Sequence, residues 1–226
     1  MTTLVLGAQR PLGLALVRAV LDMGAPVVAA VQAPARLPPA LHDLRDEFPG
    51  LLTPVAWQPG SWAHAAAVRR AIIAELPIPP AQSDEPDDAV SDLVAVTSAA
   101  LQQELAQLLP ATLAALQLVA ALQPARALIQ ASWLGSIGEK IRGGGYAVAT
   151  AYAAHLMLVR TAAMDLQRAG ICTVVGNAGR YRLDLAGPGF HADIDDVARG
   201  LLAALDAADG SGEPAFVDWR GTPRSW

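Results

Sequence analysis

Residues 4–21 read Leu-Val-Leu-Gly-Ala-Gln-Arg-Pro-Leu-Gly-Leu-Ala-Leu-Val-Arg-Ala-Val-Leu, and this stretch decides the fold. A short apolar run leads into a turn that contains Gly7 and Gly13, and apolar residues at helical spacing then continue to Gly24. A second apolar run at 27–31 completes a strand–helix–strand unit. Glycine lets backbone N–H groups approach a pyrophosphate, and the helix after the turn offers unpaired donors and a positive dipole end. The stretch therefore predicts a nucleotide-binding α/β fold.

The composition sets the class of protein. A chain of 226 residues is long enough to bury a large core, and we predict one domain over residues 1–226. Hydrophobic residues make up 53% and charged residues 16%, which indicates apolar surface that a partner subunit covers. The net charge of −5, without a basic cluster, argues against nucleic acid as a partner.

Targeting signals and membrane spans are not predicted. No apolar run reaches the ~20 residues of a membrane span, and the start of the chain does not resemble a signal peptide. Cys172 is the single cysteine, so it has no partner for an internal disulfide. We expect a cytoplasmic protein that does not bind membranes.

Apolar runs and helical patterns alternate along the whole chain. This alternation predicts a Rossmann-like, doubly wound, mostly parallel sheet of seven strands in three layers. We predict strands at 4–6, 27–31, 52–57, 93–96, 127–132, 171–175 and 215–218. The main helices are predicted at 11–23, 61–76, with Ser61 as its N-cap, 99–122, 148–170 and 194–206.

The segment 77–92 is acidic and rich in proline. Such a composition is typical of a solvated loop inserted between regular elements. In the predicted order this loop would lead from a helix to the amino end of a strand, away from the edge where ligands bind, which argues against a lid.

The order of these motifs resembles the short-chain dehydrogenase/reductase family over the full length of the chain. The resemblance rests on the turn from Gly7 to Gly13, on 128–135 as the strand-five stretch that ends in serine and glycine, and on the runs 165–179 and 216–219. It implies a Rossmann fold and hydride transfer between a nicotinamide and a carbonyl or alcohol.

The resemblance also implies catalytic positions. In the family a tyrosine is the general acid/base, a lysine four residues later lowers its pKa from about 10, and a strand-five serine positions the substrate. Ser132 takes the serine position, whereas Val148 and Tyr152 take those of the tyrosine and the lysine. A second register places Tyr146 as the tyrosine, with Thr150 at the lysine position.

The cofactor positions implied by the resemblance are Gly7, Gln9, Arg10, Gly13, Gln32 and Gln58. Arg10 resembles the basic residue that favours NADP, Val31 stands where an NAD-preferring member has an acid, and Gln32 stands where many NADP-preferring members have arginine, so the resemblance implies NADP rather than NAD. Gln58 replaces an aspartate that contacts adenine. Pro11 replaces the middle glycine of the family turn, and residues 96–99 replace its Asn-Asn-Ala-Gly segment. Proline lacks an N–H but is accepted in a first helical turn.

Other candidate residues point to no second chemistry. His42, His64, His155 and His191 lack the spacing of metal ligands, so no metal site is predicted. Arg180 and Arg182 follow strand six and are candidates for binding an anionic substrate.

Two hypotheses of function follow. The first is a non-catalytic member that has lost the tyrosine–lysine pair and binds an NADP-type ligand, as a partner subunit or a sensor. Helices 99–122 and 148–170 would form a homodimer or tetramer, or a hetero-oligomer with an active relative. The alternative is an atypical NADP(H)-dependent oxidoreductase, or a non-redox enzyme like the halohydrin dehalogenases, that uses Ser132 and Tyr146.

Overall fold

Seven parallel strands form a single sheet in a computed structural model that describes residues 1–58, 67–75, 93–179, 181–182 and 192–226. The strands are β1 Thr3–Leu6, β2 Val27–Val31, β3 Leu52–Ala56, β4 Arg70–Ile73, β5 Arg126–Ala131, β6 Cys172–Asn177 and β9 Ala215–Asp218. Their order across the sheet is β3-β2-β1-β4-β5-β6-β9. A separate parallel pair joins β7 Tyr181–Arg182 to β8 Ala192–Asp193.

Helices cover both faces of the sheet and give the three predicted layers. They are α1 Pro11–Asp22, α2 Pro39–Glu47, α3 Ser98–Leu122, α4 Tyr146–Arg168 and α5 Ile194–Ala207. One buried core lies between the sheet and the α1, α2 and α5 side, and a second lies beneath α3 and α4. The predicted doubly wound architecture is therefore confirmed, and all of its neighbouring strands in the large sheet are parallel.

The fourth strand lies elsewhere than predicted. β4 is Arg70–Ile73, within the segment 61–76 that we assigned to a helix, and it pairs with β1 on one side and β5 on the other. Its residues are all buried at the centre of the sheet. The run 65–76 is rich in alanine and suits a helix locally, but pairing on both sides overrides that preference.

The predicted strand at 93–96 is also wrong, because β4 occupies the place in the sheet that we assigned to it. Residues 93–95 are helical, and Val94 is 81% exposed, which a central strand does not allow. Thr97 then caps α3, because its hydroxyl oxygen accepts a hydrogen bond from the Ala100 N–H at 3.1 Å. Residues 96–99 therefore do not follow the fourth strand, and they are not the counterpart of the family's Asn-Asn-Ala-Gly segment.

The position of β4 also changes the expected course of the chain around 77–92. This acidic segment and Ser61 lie outside the described residues, but β4 runs parallel to β1 and ends at Ile73, only a few residues before the segment. The chain thus approaches 77–92 from the carboxyl edge of the sheet, where ligands bind in this architecture. The predicted course of the segment 77–92 itself lies outside the described residues.

The last residues of the chain pack beside the loop that follows β5. The Trp226 ring lies 5.1 Å from that of Phe216, centroid to centroid, and its carbonyl accepts a hydrogen bond from the Ser136 hydroxyl at 3.3 Å. Glu139 forms an ion pair with Arg224. These contacts hold one wall of the carboxyl edge in place.

Candidate functional site

The carboxyl ends of β1, β4, β5 and β6 meet at one edge of the sheet, because neighbouring strands are parallel. The residues that follow these strands are Gly7, Ala74, Ser132 and Ala178, respectively. Most of the candidate residues predicted from the sequence therefore border a single edge.

Gly7 and Gly13 permit two close backbone contacts at this edge. A Cβ on Gly7 would lie 2.4 Å from the Ala74 carbonyl oxygen, and Gly7 has a φ of +82°. A Cβ on Gly13 would lie 2.0 Å from the Gly7 carbonyl oxygen. Both distances exclude any larger side chain, so the two glycines let α1 rest directly on β1 and let β1 rest against the end of β4.

The glycine turn is followed directly by the N-terminus of α1, the arrangement of an anion-binding site. The Arg10 N–H donates to the Gly7 carbonyl at 2.8 Å, and Arg10 is the N-cap residue in extended conformation. Pro11 occupies the first helical turn. The first-turn N–H groups have no intrahelical acceptors, so Leu12 and Gly13 remain potential donors to an anion while Pro11 offers none.

The other predicted cofactor residues lie along the same edge. Gln9 and Gln32 are exposed, and Gln32 directly follows β2. Gln58 is exposed two residues beyond β3, whose Ala56 is paired with Val31 of β2. The structure therefore places these side chains from the centre of the sheet out to its β3 edge, and Arg10 is half-buried at the centre.

Glu75 is a site residue that the sequence analysis missed. It lies two residues after β4 and is only 8% exposed. Burial raises the pKa of its carboxyl above the ordinary value, while the charge of Arg10 acts in the opposite direction. The correct position of β4 was the signal needed to find it, because residues that follow a central strand lie at the ligand edge.

Ser132 caps a turn of 3-10 helix at Trp133–Gly135. Its hydroxyl oxygen accepts a hydrogen bond from the Leu134 N–H at 3.2 Å, and the residue is 5% exposed. The Asn177 side-chain oxygen accepts from the Trp133 N–H at 3.4 Å and from the Gly179 N–H at 3.2 Å. These two polar side chains therefore fix the loops after β5 and β6, and the Ser132 oxygen already accepts a hydrogen bond from its own turn.

α4 carries both tyrosines of the two predicted registers. Tyr146 is its first residue and is half-buried, after Gly145 as a left-handed N-cap. Lys140 donates from its ammonium group to the Gly144 carbonyl at 3.1 Å, so the only lysine in the chain binds the loop that leads to Tyr146. Thr150 is exposed.

Tyr152 is 2% exposed and belongs to a small cluster with Leu108 and Ala151, against which Val148 packs. Burial raises the pKa of Tyr152 to about 12, and the negative charge of Glu104 adds to the effect. The phenol is therefore protonated at neutral pH, so it cannot accept a proton from a substrate there.

Tyr181 interacts electrostatically with Arg10 and with Tyr152. Burial raises the pKa of its phenol, and the Arg10 charge opposes this rise. Tyr181 in turn contributes to the raised pKa of Tyr152. Arg180 lies outside the described residues, and Arg182 belongs to β7, so their predicted binding of an anionic substrate stays a prediction.

Among the residues that the structure describes, no group of three or more His, Cys, Asp or Glu side chains could hold a metal ion. His155 lies instead in the α3–α4 contact at 1% exposure. Its role there is packing and hydrogen bonding.

α3 and α4 are long and apolar enough to span a membrane by length and composition. In this structure the two helices pack against each other and against the sheet, and 28% and 33% of their apolar windows are buried. Buried helices of soluble proteins meet the same criterion, so the observation is weak evidence for a membrane location.

No model of a known protein family matches the chain. A curated relative, "C-signal" of Myxococcus xanthus, is 33% identical over 95 residues, which are 42% of this chain and 57% of that protein. The match thus spans little more than half of the relative.

Solved structures match over the whole chain. A short-chain dehydrogenase/reductase of Burkholderia multivorans with bound NADP has a TM-score of 0.77 at 21% identity, covering 100% of this chain and 99% of that one. A carbonyl reductase of Pseudomonas aeruginosa in complex with NADP has a TM-score of 0.72 at 23% identity and the same coverage. The carbonyl reductase Sniffer of D. melanogaster has a TM-score of 0.77 at 18% identity, covering 100% of this chain and 99% of that one.

Proposed function

We propose that this chain, whose fold is that of the short-chain dehydrogenases/reductases, binds an NADP-type dinucleotide and does not carry out the tyrosine–lysine hydride chemistry. The observation that carries the second part is Tyr152, which stands where the resemblance places the lysine. Its buried phenol offers no positive charge, and Val148 four residues earlier offers no proton to exchange. A nicotinamide bound near this helix would find neither a tyrosine as general base nor the lysine that lowers the pKa of that tyrosine.

The glycine turn supports the first part. Gly7 and Gly13 keep the close backbone packing of a dinucleotide turn, and the start of α1 offers N–H donors and a positive dipole end. Arg10, half-buried at the start of α1, would hold the additional phosphate of NADP. Two similar structures contain NADP. When bound, the dinucleotide would bring a nicotinamide capable of hydride transfer, while the residues of this chain would bind and orient it.

Apolar surface on α3 and α4 supports an assembly role. Leu113 on α3 is 44% exposed and Met157 on α4 is 61% exposed. Burying such side chains between subunits is favourable by about 25 cal/mol per Å². We propose that these helices join two copies of the chain, or this chain and an active relative, and that the protein works in the cytoplasm as a partner subunit or a ligand sensor.

Ligand titration tests this function. NADPH should bind to the purified protein with a micromolar dissociation constant and more tightly than NADH, by fluorescence or calorimetry. Arg10→Gln should weaken NADPH by about tenfold and leave NADH nearly unchanged, because only NADPH carries the extra phosphate. Absence of binding by either nucleotide would overturn the cofactor assignment.

One contact favours the alternative of an atypical reductase or a non-redox enzyme. Lys140 binds the Gly144 carbonyl, so the only lysine of the chain lies near the start of the helix that Tyr146 begins. In that alternative the Ser132 hydroxyl would position the substrate and Tyr146 would exchange the proton. A carbonyl panel with NADPH would test it, because Tyr146→Phe and Ser132→Ala should then each reduce turnover by at least tenfold. Carbonyl turnover that is absent, or unchanged in both variants, would eliminate the atypical reductase.

A further inference from the structure

Glu75 lies directly against the glycine turn. Its backbone nitrogen is 3.1 Å from the point that a Cβ on Gly7 would occupy, and the Ala74 carbonyl oxygen is 2.4 Å from that point. The residue is more than nine-tenths buried. Among the residues that the structure describes, its side chain forms neither a hydrogen bond nor an ion pair.

The charged group facing Glu75 within the described part of the chain is Arg10, at the start of α1. The charge of the same arginine also acts on Tyr181 of β7, whose phenol is neutral below its raised pKa. The described β1 and β5 strands beside β4 contribute no acidic side chain to this edge. A carboxyl therefore shares the turn with one arginine and with the N-terminus of a helix.

These groups make opposite demands on a ligand. The helix start and Arg10 attract a phosphate, whereas an ionised carboxylate beside them repels it. A buried carboxylate also loses hydration, which disfavours its charged form. The conflict disappears when the carboxyl is protonated, since a neutral acid can donate a hydrogen bond to an anion.

Building on the dinucleotide binding proposed above, we infer that phosphate binding at this turn depends on the protonation of Glu75. Binding is accompanied by the uptake of one proton from solvent onto the Glu75 carboxylate, and the neutral carboxyl then lies beside the bound pyrophosphate. The raised pKa of this carboxyl agrees with that role, because it brings the neutral form closer to physiological pH.

Calorimetric titration of NADPH into the wild type and Glu75→Gln tests the inference. Measurements from about pH 6 to about pH 8.5, in buffers of different ionisation enthalpy, report both the affinity and the number of protons taken up. Asp22→Asn serves as the matched control, because it removes one negative charge at the exposed far end of the same helix.

We expect the wild type and Asp22→Asn to bind about tenfold more weakly at the upper end of this range and to take up nearly one proton there. Glu75→Gln should bind about tenfold more tightly than the wild type at the upper end, with less dependence on pH and no such uptake. Equal affinities and equal proton uptake in the wild type and Glu75→Gln would overturn the inference while leaving dinucleotide binding intact.

Failure of the cofactor proposal gives a different result. If neither protein binds NADPH at any pH tested, both the dinucleotide site and the role of Glu75 are rejected. Thermal unfolding of Glu75→Gln checks that the variant folds. Should it not fold, proton uptake by the wild type alone decides, since binding without uptake contradicts the inference.

Discussion

The Nε2 atom of His155 lies 3.1 Å from the hydroxyl oxygen of Thr112, within the buried contact between α3 and α4. The same hydroxyl donates its proton to the Leu108 carbonyl at 3.1 Å. Nε2 must therefore be the N–H donor to Thr112, and Nδ1 carries the lone pair. Nδ1 is buried and has no hydrogen-bond partner among the described residues. A proton on Nδ1 would create a buried charge without a partner.

This arrangement predicts a loss of stability in mild acid. Burial lowers the pKa of His155 from 6.5 to about 4. Between these values the unfolded chain binds a proton that the folded chain does not, so the free energy of unfolding decreases as the pH falls from about 6.5 to about 4, by about 3 kcal/mol. Urea denaturation across this range measures the decrease.

His155→Gln should remove most of this pH dependence, because an amide can donate to Thr112 but does not titrate. His42→Gln is the control, since His42 is exposed on α2. An unchanged slope in His155→Gln would contradict the assignment.

The contact of Gly13 with Gly7 predicts a large steric effect. Gly13→Ala should destabilise the protein by about 3 kcal/mol, because the added Cβ meets a backbone oxygen and a helix must shift. Gly138→Ala should change stability by less than about 0.5 kcal/mol, since its Cβ would meet only the Ser225 side chain at 3.4 Å. Thermal and urea unfolding compare the two variants. Equal effects would show that α1 does not rest on β1 as described.

The ion pair of Arg70 with Asp206 joins β4 to α5 at the amino edge of the sheet. The Arg70 side chain is 9% exposed, and its Nε atom has no partner among the described residues. Asp206→Ala should cost about 3 kcal/mol of unfolding free energy, because it leaves a buried guanidinium unpaired. Asp165→Ala, which breaks the exposed pair with Arg168, should cost less than about 0.5 kcal/mol. Similar losses in both variants would contradict the burial of Arg70.

The buried environment of Tyr152 predicts that its phenol does not ionise in the folded protein below about pH 10.5. Since the pKa of Tyr152 is about 12, its ionisation should add nothing to the tyrosinate absorbance of the folded protein below about pH 10.5. Tyr152→Phe should therefore leave that titration unchanged. The unfolded phenol ionises near pH 10, so folded-state stability should fall as the pH rises from about 10 to about 12. A titration step below pH 10 that disappears in Tyr152→Phe would exclude this interpretation.

Most of the fold was predictable because its strands are buried on both faces. Runs such as Val27–Val31 and Arg126–Ala131 are apolar or nearly so, and each lies between helix signals in the sequence. β4 was missed because its four residues follow an alanine-rich run that equally suits a helix. Only its pairing with β1 and β5 decides its conformation.

The site was predictable in position but not in chemistry. The glycine turn and Ser132 could be placed from their sequence context, and both lie at the carboxyl edge. Glu75 could not be found, because its relation to the turn depends on where β4 ends. The polar contact of Lys140 with Gly144 depends on a loop conformation that no local pattern specifies.

The close packing of α1 on β1 shows that the pair Gly7 and Gly13 can be needed for the fold as well as for a nucleotide. Replacing either glycine would require the backbone to move. Selection for the fold alone would therefore retain both glycines, even in a homologue that no longer binds a nucleotide. A glycine pair in a distant homologue consequently shows that its helix can rest on its first strand, which dinucleotide binding requires but which does not by itself prove a ligand. The positions that report on ligand loss or gain are Arg10, between the two glycines, and Glu75, beside the turn.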